Sequence, residues 1–168
     1  LYLERLRAFR PKVIEGYVGY LHLLALHLER TAQTLPVHAV FPYSEPLYPE
    51  QRRVIQERFQ CKAFDWYGLS ERVASAGQCE RLDGYHISAE KTIVEIVDPD
   101  GQPAPPGEHG EVVGTNLDEY GMPLIRYRTG DMAALRPSPC PCGRGLPLME
   151  QVQQRVQDFI TTPDGRLI

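Results

Sequence analysis

The chain has 168 residues, 42% hydrophobic and 24% charged, enough for one ordinary domain with a real core or for two small ones. Its formal net charge is −4, so the long-range field does not favour a phosphate backbone, and nucleic acid is not expected as a partner. No apolar run approaches the roughly 20 residues of a membrane span and no signal-peptide pattern opens the chain, so a soluble, cytoplasmic protein without a membrane partner is expected.

The opening "LYLERLRAFR" puts Leu3, Leu6 and Phe9 on one side of a helix, with Glu4, Arg5 and Arg7 around them. No capping residue precedes this helix, and the chain is expected to be an excerpt of a longer protein. "YVGYLHLLALHLERT" (17–31) places Val18, Leu21, Ala25 and Leu28 at helical spacing, and Leu23, Leu24 and Leu26 fill the gaps, which predicts a largely buried helix. Pro36 ends it. "VHAVF" (37–41) reads as a short buried strand, Pro49 suits the first helical position of "PEQRRVIQERF", and "KAFDWYG" (62–68) reads as another strand. Strand, helix, strand at this spacing describes a parallel α/β unit, whose ligands bind at the carboxyl ends of the strands. "PYSEP" and "YGLSE" fall at such ends.

From about residue 84 the period changes to two. "TIVEIVD" (92–98), "EVVGTN" (111–116) and "PLIRYR" (123–128) read as strands separated by a Pro-Asp-Gly turn and a Pro-rich loop. The expected fold is therefore α/β: a parallel α/β portion over 1–83, an antiparallel, barrel-like β-rich portion over 84–150, and at 151–168 the start of a further element. There "DFITTPDGRLI" carries a hairpin signal around Pro163, Asp164 and Gly165.

Four cysteines in a chain without a secretion signal read as thiols or metal ligands rather than disulfides. Cys61, at the start of an apolar strand, reads as core. Cys79 and His86 are bracketed by Gly77 and Gly84, and "PCPCGR" supplies Cys140 and Cys142 in a tight turn. Three thiolates and one imidazole make a closed tetrahedral zinc set, with no open position for a catalytic water. Singly, a Cys or His is more often a small buried residue or a satisfied ring than a ligand, and Cys-x-Cys alone is a weak signal. Joined across a β-rich segment short of core, the set has a physical purpose, because structural zinc contributes on the order of 10 kcal/mol of apparent folding free energy. His22, His27, His38 and His109 read as packing, surface or loop residues. Arg126 and Arg128 flank Tyr127 on one strand face, suited to an anion contact or to an internal salt bridge.

The ordered set "SEP", "DWYGLSE", "GEVVGTNL", "MPLIRYRTGD", "CPCGR" and "RVQDFI" resembles the adenylate-forming (acyl-CoA synthetase) superfamily. Within it, the chain looks like the phenylacetate-CoA ligase branch and its CapK-like relatives of capsular polysaccharide biosynthesis. The resemblance implies that 1–150 belongs to an AMP-binding domain and 151–168 to a hinge and the first hairpin of a C-terminal domain. It implies an AMP-forming ligase that activates a small carboxylic acid with ATP and Mg²⁺, with CoA as a possible acceptor. Tyr67 would then stack on adenine, and Asp65 and the Ser44-Glu45-Pro46 turn would border the base. Trp66 and Gly68 lie in the same nucleotide-binding stretch. Ser70 would meet the α-phosphate, Glu71 would hold Mg²⁺, and Asp131 and Arg155 would bind the ribose. Glu71 and Arg155 are thus the catalytic candidates.

Taken singly, Tyr67 also fits strand packing, Glu71 a solvated helix-start acid, Asp131 a turn former and Arg155 a surface charge. The family's phosphate-cradling loop and catalytic lysine are not among these residues. Gln154 and Gln157 stand where relatives carry Gly and an Asp or Lys hinge. The excerpt alone is therefore expected to be inactive, and a zinc-stapled nucleotide-binding or scaffold module without activity is the alternative reading.

Overall fold

The computed structural model describes residues 2–152, so Arg155, the expected hinge and the expected hairpin lie outside the described residues. The chain divides into two compact units, one ending at Trp66 and one beginning at Tyr67. No helix among the described residues is long and apolar enough to cross a membrane.

The first unit runs α1 (Tyr2–Phe9), β1 (Val13–Tyr17), α2 (Val18–Arg30), β2 (Ala39–Tyr43), α3 (Pro49–Phe59) and β3 (Lys62–Ala63), and Trp66 opens β4 (Trp66–Gly68). β2 pairs in parallel with β1 over five residue pairs from Val13 with Ala39 to Tyr17 with Tyr43. It also pairs in parallel with β3, and through Tyr43 with Trp66. The expected parallel α/β unit is present, with β1 as an additional strand. β1 escapes a reading by pattern because "VIEGY" alternates only between exposed and half-buried positions, and its pairing partner lies a whole helix away. The expected strand over 62–68 is interrupted. Asp65 Oδ1 accepts the N–H of Trp66 at 2.9 Å, a local bond that competes with the ladder at the break.

Val18, Leu21, Ala25 and Leu28 of α2 meet Val54, Ile55 and Phe59 of α3 and Val40 of β2 in one buried cluster. Leu23 is 63% and Leu26 38% exposed, so α2 is one-sided rather than largely buried as expected, since the unit packs against only one of its faces. In α1, Leu3 and Leu6 pack on the same cluster while Phe9 stays exposed. α2 has no side-chain cap of its own at Tyr17. Its first turn is satisfied from a distance: Glu45, on the turn after β2, accepts the Gly19 N–H at 2.6 Å and sets a negative charge at the positive end of the helix. α3 begins on Pro49, and Gln51 Oε1 accepts the Tyr48 N–H at 3.1 Å.

In the second unit β5 (Ser75–Gly77), β6 (Tyr85–Ile87) and β10 (Leu148–Met149) form antiparallel pairs, Gly77 with His86 and His86 with Leu148. β7 (Thr92–Val97), β8 (His109–Asn116) and β9 (Tyr127–Ala134) form a three-stranded antiparallel sheet with β8 in the centre. Antiparallel β structure is as expected, but the barrel-like closure is not. β7 and β9 are the two edges of an open sheet. The two sets of strands share a core of Ala74, Ala76, Ile87, Ile96, Val112, Ala133 and Met149.

The strand expected at 123–128 lies later, at Tyr127–Ala134. Pro123 offers no N–H to a ladder, and the Asn116 side chain holds the preceding stretch as a loop, donating to Met122 O at 3.1 Å and accepting the Leu124 N–H at 2.9 Å. Backbones also approach closely. A Cβ at Gly114 would stand 2.3 Å from Val73 O, so Gly114→Ala is expected to destabilise the protein by about 2 kcal/mol or more through overpacking. Thermal unfolding checks this; an unchanged Tm would mean that the Val73 backbone moves aside freely.

Candidate functional site

Of the residues singled out for nucleotide chemistry, Ser44, Glu45, Pro46, Asp65 and Trp66 lie in the first unit, and Tyr67, Gly68, Ser70, Glu71 and Asp131 in the second. In the first unit Ser44, Glu45 and Pro46 form an exposed turn at the carboxyl end of β2. Ser44 adopts φ of +64°, and the Glu45 carboxylate is engaged with α2. Asp65 is buried at the end of β3.

In the second unit two motifs far apart in sequence meet. The Tyr67 hydroxyl donates to Asp131 Oδ2 at 2.8 Å, across 64 residues of chain. Asp131 is 5% exposed, a carboxylate in a place where only polar partners make burial tolerable. The Tyr127 hydroxyl donates to Glu71 Oε1 at 3.4 Å, and Asn116 Nδ2 donates to the Glu71 carbonyl at 3.4 Å, so β8 and β9 hold the end of "YGLSE" as well. Ser70 and Gly68 are exposed beside it. Tyr127 and Asn116 were not among the expected site residues. Their signal lay in the sequence, since both sit inside the quoted "GTNL" and "IRYRTGD" stretches, but their role depends on the tertiary pairing. Arg126 and Arg128 take the salt-bridge option, Arg126 Nε to Glu95 Oε2 at 3.1 Å and Arg128 Nε to Glu111 Oε2 at 2.7 Å.

The four expected metal ligands also converge. The ligand atoms of Cys79, His86, Cys140 and Cys142 all lie within 4.8 Å of one another. Cys79 stands just after β5, His86 on β6, and the other two in the loop before β10, so the β5–β6–β10 pairing brings them together. Cys79 Sγ and Cys140 Sγ are 3.7 Å apart, and Cys142 Sγ lies 3.5 Å from His86 Nε2. Tetrahedral coordination with metal–sulfur bonds of about 2.3 Å and metal–nitrogen bonds of about 2.0 Å requires about 3.8 Å between sulfurs and about 3.5 Å between sulfur and nitrogen. The donor set fits that geometry. His86 Nδ1 is buried without a hydrogen-bond partner among the described residues, and burial holds the ring pKa below its ordinary value, favouring the neutral form that ligates. The Arg144 backbone N–H, foremost, brings the Cys142 thiol down to about 7, and the Arg81 N–H points at Cys79 Sγ at 3.4 Å. The donor aimed at Cys142 favours its thiolate. Cys61 stands apart, half-buried against the core of the first unit, and burial pushes its thiol pKa up.

No family model matches the chain. Known proteins do. The chain is 33% identical over 159 residues to a phenylacetate-coenzyme A ligase of Thermus thermophilus, covering 90% of this chain and 36% of that protein. It is 25% identical over 137 residues to the protein CapK of Staphylococcus aureus, covering 80% of this chain and 29% of CapK. Among solved structures, an open conformation of 2-hydroxyisobutyryl-CoA ligase, in complex with 2-HIB-AMP and CoA, superposes with a TM-score of 0.85 at 25% identity. That match covers 99% of this chain and 41% of the ligase. The chain thus spans a little over a third of the length of the phenylacetate-CoA ligase it matches. Over the part it spans, with its β-rich portion carrying the Tyr67 and Asp131 motifs, the chain is a partial homologue of phenylacetate-CoA ligases and of CapK, and its structural neighbours are adenylate-forming CoA ligases.

Proposed function

We propose that this chain supplies nucleotide-binding residues and a structural zinc site to a ligase that activates a carboxylic acid with ATP, forming an acyl-adenylate that is passed to CoA. The observation that carries the reading is the 2.8 Å bond between Tyr67 and Asp131, which joins an aromatic face and a buried carboxylate from two separate motifs. A carboxylate can accept both ribose hydroxyls through its two oxygens, and a tyrosine ring offers adenine a stacking face. Tyr67 and Asp131 would thereby fix the nucleoside. Ser70 would donate to the α-phosphate, and Glu71, a hard oxygen donor steadied by Tyr127, would hold Mg²⁺, which neutralises phosphate charge when bound.

Holding the nucleoside fixes where the α-phosphorus sits when the acid's carboxylate oxygen attacks it and pyrophosphate departs. Positioning of this kind is the main contribution a protein makes to such a transfer. The roles of Ser44, Glu45, Pro46, Asp65, Trp66, Gly68 and Arg155 rest on the resemblance alone. Cys79, His86, Cys140 and Cys142 would hold Zn²⁺ as a closed set, tying the loop before β10 to β5 and β6 without touching the reaction.

ATP–pyrophosphate exchange on the full reading frame, across aryl and short aliphatic carboxylic acids, tests the reading. Acid-dependent exchange with one class is expected. A folded, zinc-loaded protein that binds AMP yet exchanges nothing with any acid would replace the enzyme by a nucleotide-binding module.

A further inference from the structure

The bend that presents Asp131 is an interruption in the β8–β9 ladder. Glu111 pairs with Met132 and Val113 pairs with Arg128, so Val112 alone on β8 faces Thr129, Gly130 and Asp131 on β9. Extra residues in a bulge lose their cross-strand partners, and N–H groups shielded from water, as at half-buried Gly130 and buried Asp131, need others. Here side chains provide them. Glu111 Oε1 accepts the Gly130 N–H at 3.1 Å, and Thr129 Oγ1 accepts the Asp131 N–H at 3.0 Å while donating to Val112 O at 2.8 Å. Gly130 takes φ of +76°, a conformation open to glycine.

Glu111 is itself 8% exposed, a costly place for a charge. Its other oxygen, Oε2, is engaged by Arg128 through Nε at 2.7 Å and through Nη2. The carboxylate therefore stands in for the backbone carbonyl that the bulge lacks, and the arginine makes its burial tolerable. It grips the chain one residue before Asp131, whose own carboxylate is committed to a fixed place by the Tyr67 hydroxyl.

We propose that Glu111 is a positioning residue for the nucleotide: by pinning the Gly130 N–H inside the β8–β9 bulge, it sets where the Asp131 carboxylate meets the ribose hydroxyls. The inference rests on the ribose role proposed for Asp131. Without the grip of Glu111, the bulge backbone has an unpaired N–H at its centre and relaxes, and Asp131 moves with it.

The test compares calorimetric binding of AMP with that of 2′,3′-dideoxy-AMP, which lacks the hydroxyls, using the protein in its full reading frame. Wild type is expected to prefer AMP by about tenfold or more, and Asp131→Ala to lose most of that preference. Glu111→Ala is expected to reduce it below about threefold while leaving dideoxy-AMP binding within about twofold of wild type. Glu111→Asp, which keeps the charge for Arg128 but is one methylene too short for Gly130, is expected to do the same, and it carries the test if the alanine variant does not fold. A residue serving only stability would lower the Tm and leave the AMP to dideoxy-AMP ratio unchanged. If both Glu111 variants keep the wild-type ratio while Asp131→Ala loses it, the positioning role is wrong and the ribose role stands. If Asp131→Ala keeps the preference, or wild type has none, the ribose role fails and the positioning role with it.

Discussion

AMP binding to the full reading frame is expected to weaken about a hundredfold when Asp131 is replaced by alanine. Each hydrogen bond from a ribose hydroxyl to an ionised carboxylate contributes about 1.5 kcal/mol net, and two of them amount to about 3 kcal/mol, or roughly two factors of ten in Kd. Asp131→Asn, with one acceptor oxygen in place of two, is expected to lose about tenfold. Asp131→Ala also removes the acceptor of the Tyr67 hydroxyl, at a cost of about 1 kcal/mol in stability, so binding must be read on protein shown to be folded by circular dichroism. Calorimetric titration decides the matter. An alanine variant that binds AMP as wild type does would remove Asp131 from the nucleotide site and turn its contact with Tyr67 into ordinary packing.

Removing the metal is the second large effect. The purified protein is expected to carry one Zn²⁺ per chain, and chelation or Cys140→Ser is expected to lower the Tm by about 10 °C. Structural zinc contributes roughly 10 kcal/mol in zinc-finger peptides, and less is expected here because the strands already share an apolar core. A loss of about 4 kcal/mol in a chain of this size corresponds to that shift.

The dependence on pH has a definite sign. Zinc ligates thiolates, and Cys142 gives up its proton near pH 7, so each step below 7 makes the metal compete with a proton that it must displace. Affinity, and with it the stabilisation, is expected to fall as pH drops through 7 and to rise above it as the remaining thiols ionise. Elemental analysis with thermal melts at several pH values checks both statements. A protein that is metal-free as isolated, and whose Tm ignores chelators, would reduce the cluster to four residues that happen to pack together.

Local chemistry in the chain was enough to determine several features. Pro49 and the amphipathic run after it specify α3, the spacing of Val18, Leu21, Ala25 and Leu28 specifies the buried face of α2, and β-branched runs bounded by turn residues specify β7 and β8. The Cys79, His86, Cys140 and Cys142 quartet could be read as a soft-ligand set only by taking its four members together, and the structure brings their ligand atoms within 4.8 Å of one another; the nucleotide motifs could be read only through their ordered resemblance to the adenylate-forming superfamily. What the sequence could not decide lies wherever one segment's conformation depends on a partner far along the chain. β1 exists because β2 pairs with it, and β10 is two residues of strand defined by β6. The exposure of Leu23 and Leu26 reflects which faces the unit covers, not their hydrophobicity. Whether the β-rich part closes is decided by the pairing of β7 and β9, about which an alternating pattern says nothing. Glu111, outwardly one more acid in a strand, acquires its place only through the bulge opposite, where tertiary structure leaves an N–H in need of an acceptor. Periodicity reports which residues a segment buries, while register and long-range hydrogen bonds arise between segments, and they are what aim Asp131.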